Sequence, residues 1–186
     1  YELYQSMLEE TISKIRGGQI DVLTSMDNQW SPQINLGVSV LIPEAYVADL
    51  DVRLGLYRRL SNLSKKVEFE GFAAELIDRF GKLPPEVNTL LLVVRIKSVC
   101  KKAGIAKFDG GPKGATVQFH NDKFISPEGL VEFIKKQNGL AKIKDNKLII
   151  KRDWKKNSDK FKGSFSIARD LAEIAASYQK NSLAKN

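Results

Sequence analysis

The sequence has little of the side chains that most often bind metals or carry out nucleophilic catalysis. Its 186 residues include one cysteine, Cys100, and one histidine, His120. A single cysteine excludes an internal disulfide bond, which agrees with a reducing cytoplasm. One residue of each type is also too few for a zinc site built from Cys and His ligands. The sequence therefore predicts no metal, no cofactor and a cytoplasmic location.

The chain also lacks the motifs of common enzyme classes. It contains no G-x-x-x-x-G-K-[ST] phosphate-binding loop and no G-x-S-x-G motif to accompany His120. Ser98 and Lys101 match the pattern S-x-x-K, but its partner motifs S-D-N and K-T-G are absent, which indicates a chance match. We therefore expect the chain to be non-catalytic.

Long apolar runs are missing as well. The longest, residues 90–94, is far shorter than the roughly 20 residues of a membrane helix, and the first residues have neither the basic region nor the apolar core of a signal peptide. The chain starts with Tyr1 and a helical pattern is already running at Leu3. We interpret it as a fragment of a larger multidomain protein; a trimmed leader or tag is the alternative.

Charge of opposite sign dominates the two halves of the chain. Residues 1–80 hold 8 basic and 12 acidic side chains, a net charge of −4, whereas residues 81–186 hold 22 and 10, a net charge of +12. Such asymmetry bears on partners rather than on fold. The acidic half suits a basic protein surface and the basic half suits nucleic acid.

Hydrophobic periodicity predicts more helix than strand. The predicted helices comprise a leading helix in residues 1–18, then residues 50–63, 69–80, 85–103 and 127–139, and a last helix carrying Ile167, Leu171, Ile174 and Tyr178. A period of two predicts a strand over 34–42, and hairpins are expected at 106–119 and 140–152. Residues 179–186 are expected to fray.

Tight turns between the strands, without regular βαβ crossovers, indicate an α+β fold with helices packed on a small, mostly antiparallel sheet. We expect one monomeric domain over residues 1–186, with a soft boundary near 81–85 or 104–110. The glycine-rich run 110–114 could bind an anion through backbone N–H groups, but a hairpin turn explains the same residues.

Residues 142–162 are densely basic and contain an aromatic side chain. The candidate nucleic-acid contacts are Lys151, Arg152, Trp154, Lys155 and Lys156. Lysine and arginine neutralise phosphates, and a tryptophan can stack on a base. The competing interpretation is a strand whose outward face is polar because it meets solvent.

Several blocks of the sequence together resemble the C-terminal domain of the bacterial transcription-repair coupling factor. The blocks, in family order, are I-N-L at 34–36, L-I-P-E-A-Y-V at 41–47, R-L-G-L-Y-R-R-L at 53–60, E-L-I-D-R-F-G-K-L-P at 75–84, K-A-G-I at 102–105 and G-P-K-G at 111–114. The likeness covers about residues 1–120. One departure is residues 64–71, which the family often fills with glutamate and which here read S-K-K-V-E-F-E-G.

The resemblance implies the terminal domain of a large ATP-driven translocase that acts on DNA and stalled RNA polymerase and recruits nucleotide excision repair. In that family the domain has no enzymatic activity. It folds back on an N-terminal domain resembling UvrB, masks the surface that binds UvrA, and so keeps the factor autoinhibited.

The resemblance also implies a site. Its E-L-I-D-R-F-G segment contributes to the clamp surface, and helix periodicity predicts that Leu76, Ile77 and Phe80 point inward. Glu75, Asp78 and Arg79 then point away and are free for charged hydrogen bonds across an interface. The predicted protein-interface residues are these three together with Arg58 and Arg59, which face largely outward from the preceding helix. The alternative is that these residues form an ordinary solvated face.

Overall fold

The computed structural model describes residues 30–185, which form five α-helices and one five-stranded sheet. The helices are α1 (Leu50–Ser61), α2 (Lys66–Phe80), α3 (Pro85–Ala103), α4 (Pro127–Lys136) and α5 (Asn157–Leu183). The strands are β1 (Gln33–Asn35), β2 (Ile105–Gly111), β3 (Gly114–Phe119), β4 (Ala141–Lys144) and β5 (Lys147–Lys151). This confirms the predicted α+β class. The predicted leading helix lies outside the described residues.

Two compact units make up the described chain, and they divide inside α3. Residues 38–98 belong to one, which we call the helical unit; residues 30–37 and 99–185 form the other, which we call the sheet unit. The division falls inside a continuous helix, where no glycine or proline marks a boundary in the sequence. It therefore differs from the two boundaries suggested by the sequence. No helix in residues 30–185 is both long and apolar enough to cross a bilayer.

In the helical unit, local capping determines where α1 and α2 begin. The Asp49 side chain accepts a hydrogen bond from the Val52 amide at 2.9 Å and caps α1. The Glu68 carboxylate accepts one from the Ser64 amide at 2.9 Å at the start of α2. Leu50, predicted to face the core, is 38% exposed because it is the first residue of its helix.

The sheet unit contains all five strands, in the order β1-β2-β3-β5-β4. β1 is parallel to β2, and the other three neighbouring pairs are antiparallel. This confirms the mostly antiparallel sheet and both predicted hairpins. Asp145 and Asn146 form the second turn with φ of 53° and 60°, the left-handed conformation typical of a two-residue hairpin loop.

The strand predicted over residues 34–42 is shorter than its alternating pattern indicated. β1 ends at Asn35, because Gly37 adopts a positive φ of 67° and its amide donates to the Asn35 side chain at 3.2 Å. Ile34, Leu36 and Val40 are nevertheless all buried. The pattern therefore predicted burial at these three positions correctly, but a hydrogen-bonded strand forms only at its start.

Helix ends after residue 120 follow the turn residues closely. The Ser126 hydroxyl accepts from the Gly129 amide at 3.1 Å and caps α4, as predicted. α4 ends at Lys136, three residues before Gly139, since Asn138 already has a positive φ of 52°. α5 runs to Leu183, so its regular structure includes most of the tail expected to fray.

Candidate interaction sites

The five predicted interface residues come together on one pair of helices in the helical unit. Arg58 and Arg59 are in the last turn of α1, and Glu75, Asp78 and Arg79 are in the second half of α2. Buried side chains hold the two helices in the unit: Leu56, Tyr57 and Leu60 from α1, and Phe69, Phe72 and Leu76 from α2. The site therefore lies on a packed scaffold.

Glu75 and Arg59 contact each other rather than both being free. Arg59 Nη1 lies 2.6 Å from Glu75 Oε2, and the guanidinium also covers the Phe72 ring at 5.3 Å. Their side chains are 52% and 37% exposed, so the pair contributes little to stability but fixes both side chains. Glu75 therefore already has a partner within the chain, and its place in an interface stays a prediction.

The other three predicted residues differ in their contacts. Arg79 lies over the Phe80 ring at 4.9 Å. Arg58 and Asp78 are exposed, and the structure records no side-chain partner for either within residues 30–185. Asp78 is therefore the acidic side chain of this group that is most open to an external cation.

An exposed line of apolar and small residues runs along α2 beside Asp78. Ile77, predicted to point inward, is 50% exposed, because it lies about 100° around the helix from the buried Leu76. Val67 is 69% exposed, and Gly71 and Ala74 between them are exposed too. We call Val67, Gly71, Ala74 and Ile77 the α2 stripe.

Tyr46 connects two blocks of the family-like sequence. Its hydroxyl lies 3.0 Å from the Leu76 carbonyl and 2.8 Å from the Gly81 carbonyl, and its ring packs edge-on against Phe80 at 5.7 Å. The Gly81 carbonyl lies just beyond the last turn of α2 and has no partner within the helix, so Tyr46 stabilises the end of α2. Sequence reasoning missed this role, although Tyr46 stands in the quoted L-I-P-E-A-Y-V block.

The basic segment of the sheet unit is arranged differently from its prediction. Trp154 is 7% exposed, and its backbone N–H donates to the Pro112 carbonyl at 2.8 Å. A Cβ added at Gly163 would lie 2.4 Å from its ring, so the ring rests directly on the backbone of α5. The prediction that Trp154 stacks on a base is therefore wrong, since its ring is buried in the domain.

The remaining basic candidates stay accessible to different degrees. Arg152 is half-buried and donates to the Gln137 side chain and, at 2.8 Å, to the Lys151 carbonyl. Lys151, Lys155 and Lys156 are exposed, and Lys155 pairs with Asp153 at 3.7 Å. Their role in nucleic-acid binding stays a prediction.

Groups able to perform catalysis or hold metal are few in the described residues. No cluster of three or more His, Cys, Asp or Glu side chains within residues 30–185 could hold a metal ion. Cys100 is fully buried, and burial raises the pKa of its thiol. His120 begins a 3₁₀ turn and stacks on Trp30 at 4.2 Å. The Lys101 amino group also lies over the Trp30 ring, at 3.8 Å from its centroid, and burial lowers the pKa of Lys101.

The glycine-rich run between β2 and β3 is a hairpin turn. Gly111 and Gly114 are paired across the turn, and Gly114 has a φ of 129° with its Cα against the Ile150 carbonyl. The conformation and the close approach both require glycine at position 114.

Known proteins similar to this chain share one description. A family model for the TRCF domain matches residues 36–130. The transcription-repair-coupling factor of Rickettsia conorii (strain ATCC VR-613 / Malish 7) is 44% identical over 149 residues, covering 80% of this chain and 13% of that protein. That of Escherichia coli (strain K12) is 31% identical over 137 residues, covering 74% of this chain and 12% of that protein.

A solved structure has the same fold. The crystal structure of the C-terminal domain of transcription-repair coupling factor aligns with a TM-score of 0.67 and 21% identity, covering 82% of this chain and 98% of that one. The chain thus spans about an eighth of the curated relatives but nearly all of this domain. Since the family model covers more than half of its residues, the chain belongs to the TRCF domain family of transcription-repair coupling factors.

Proposed function

We propose that this chain is a non-catalytic, autoinhibitory domain of a bacterial transcription-repair coupling factor. In this role it binds the N-terminal UvrB-like domain of its own parent chain and masks the surface that receives UvrA. The parent would be a cytoplasmic, ATP-driven DNA translocase that removes stalled RNA polymerase and recruits nucleotide excision repair. The domain itself acts as a monomeric clamp.

The α2 stripe beside Asp78 is the observation that best supports this proposal. It combines exposed apolar side chains, Val67 and Ile77, with the small side chains of Gly71 and Ala74, over which a partner can approach closely. Protein interfaces have an apolar centre with a charged rim, and here Asp78 and the Arg59–Glu75 pair supply the charge. The stripe adjoins the E-L-I-D-R-F-G block that carries the family resemblance.

A clamp must also open, so its contact should be of modest strength. One helix face with two exposed apolar side chains fits that requirement better than a large hydrophobic surface would. The buried face of α2 stays packed whether the clamp is open or closed, since Phe69, Phe72 and Leu76 belong to the helical unit itself.

Calorimetric titration of this chain against the N-terminal domain of its parent tests the proposal. Ala74→Arg and Asp78→Lys each change an exposed side chain and should weaken binding at least about tenfold, or about 1.4 kcal/mol. Glu173→Lys, which makes the same charge change as Asp78→Lys on an exposed position of α5, is the control and should bind like the native chain. Equal affinity for all four proteins would refute the site.

A further inference from the structure

We propose that the open face of the sheet, defined by Lys107, Lys142, Lys144, Lys147 and Lys151, binds the phosphate backbone of nucleic acid without regard to sequence. This site lies in the sheet unit and is independent of the clamp surface on α2. It keeps Lys151 of the predicted cluster around Trp154 and adds four lysines that the sheet register brings to the same face.

Strand register assigns the five lysines to one face. Lys142 pairs with Ile149, and Lys144 pairs with Lys147. Side chains alternate along a strand, so Lys147 and Lys151 lie on the same face as Ile149. Ile149 pairs with Thr116, so this face extends onto β3. Lys107 follows on β2 in register with Gln118.

The two faces of the sheet differ sharply in burial. Phe108, Val117 and Leu148 are fully buried on one face, where Gly110 approaches Ser164 of α5. On the other face all five lysines are exposed. No described residue that the register places on this face is buried, so its charges meet solvent.

Positive charge on the open face is hardly compensated. The register brings one acidic side chain to the face, Asp109, and it pairs with Lys107 at 3.8 Å. Lys144 and Lys147 stand directly opposite each other, an arrangement that destabilises a strand pair. Lysines on β4 could protect an edge strand, but Lys147 and Lys151 lie on β5, an interior strand. Edge protection therefore does not account for the lysines of β5.

The chemistry of the face favours a polyanion over a protein. Protein interfaces have apolar centres and are depleted in lysine, whereas Ile149 is the single large apolar residue that the register brings to this face among residues 30–185, and it is half-buried. Lysine binds phosphates as a point charge. The sheet unit carries 19 basic and 9 acidic side chains, a net charge of +10, which attracts nucleic acid over a distance.

Fluorescence anisotropy of the whole chain with labelled duplex and single-stranded DNA tests the site. With about four phosphates neutralised, duplex affinity should fall about 100-fold between 50 and 200 mM salt. Lys144→Gln with Lys147→Gln should bind more weakly and lose only about tenfold over that range.

Two double variants remove the same charge elsewhere in the sheet unit. Lys135→Gln with Lys136→Gln changes exposed residues of α4, and Lys155→Gln with Lys156→Gln changes the cluster predicted from the sequence. Both should keep the native salt dependence. Absence of binding at about 50 mM salt, or equal loss in all three variants, would overturn the proposal. So would equally tight binding of poly-glutamate, which would indicate an acidic protein partner.

Discussion

The helical unit and the sheet unit differ in the balance and arrangement of their charged side chains. The helical unit has 9 basic and 8 acidic side chains in residues 38–98, and some of them pair on its surface, as Arg59 does with Glu75 and Lys66 with Glu70. The sheet unit places lysines side by side on one open face. A nearly neutral surface with an apolar stripe suits a protein partner, and a surface of like charges suits a polyanion. On the two proposals made above, one small domain offers two unrelated surfaces.

Within residues 30–185, the glycines where an added Cβ would clash all lie in the sheet unit, and Gly114→Ala should show the largest effect. A Cβ at Gly114 would lie 2.0 Å from the Ile150 carbonyl oxygen, at a φ of 129°. We expect a loss of at least about 3 kcal/mol in the free energy of unfolding. Gly111→Ala in the same hairpin, where a Cβ has open space, is the control. Chemical denaturation of both variants measures the difference, and equal stability would show that the β2–β3 turn can rearrange.

Replacing glycine with alanine should change the stability in opposite directions in helices of the two units. Gly163→Ala in α5 would place a Cβ 2.4 Å from the Trp154 ring and should cost about 2 to 3 kcal/mol. Gly55→Ala in α1 meets open space and should stabilise by about 0.5 to 1 kcal/mol. Thermal unfolding of the two variants checks the prediction, and a stabilising Gly163→Ala would contradict the buried position of Trp154.

Tyr57→Phe probes a buried hydrogen bond in the helical unit. The Tyr57 hydroxyl accepts from the Ile42 amide at 2.6 Å in a buried position, where burial raises the pKa of the phenol. Removing the oxygen leaves that N–H unpaired, which should cost about 1 to 2 kcal/mol. Tyr178→Phe on α5, where the side chain is 44% exposed, should change the free energy of unfolding by less than about 0.5 kcal/mol. Urea unfolding measures both, and matching losses would mean that the Ile42 amide finds another acceptor.

The smallest expected effect is that of the ion pair between α1 and α2. A double-mutant cycle with Arg59→Met and Glu75→Gln should give a coupling energy below about 1 kcal/mol, because both side chains are partly exposed. Its value should decrease further with added salt. A coupling well above that range would mean that the pair is a structural element of the helical unit, and that charge reversal at Glu75 cannot report on partner binding alone.

Local sequence signals predicted most of the elements because short-range chemistry determines them. Ser126 and Pro127 mark the start of α4, Asp145 and Asn146 form a hairpin turn, and Pro85 stands at the first position of α3. Each of these signals acts through a cap or a backbone conformation within a few residues. No distant partner is needed to read them.

The failures at the two candidate sites depend on contacts between distant residues. The Trp154 ring is buried because α5 places Gly163 against it. Glu75 has a partner because α1 places Arg59 beside it. The lysine face required the register of β4 against β5. If residues 142–151 are treated as a hairpin with its turn at Asp145–Asn146, the alternation of side chains along the two strands places four of the five lysines on one face.

The most direct test of autoinhibition is UvrA binding to the full-length parent protein. Ala74→Arg and Asp78→Lys, introduced at these positions of the parent, should release the N-terminal domain and raise UvrA affinity at least about tenfold, while Glu173→Lys should leave it unchanged. Surface plasmon resonance with immobilised UvrA measures all of them. Unchanged UvrA affinity in the two α2 variants, with their folds intact by circular dichroism, would contradict the role of α2 as the masking surface.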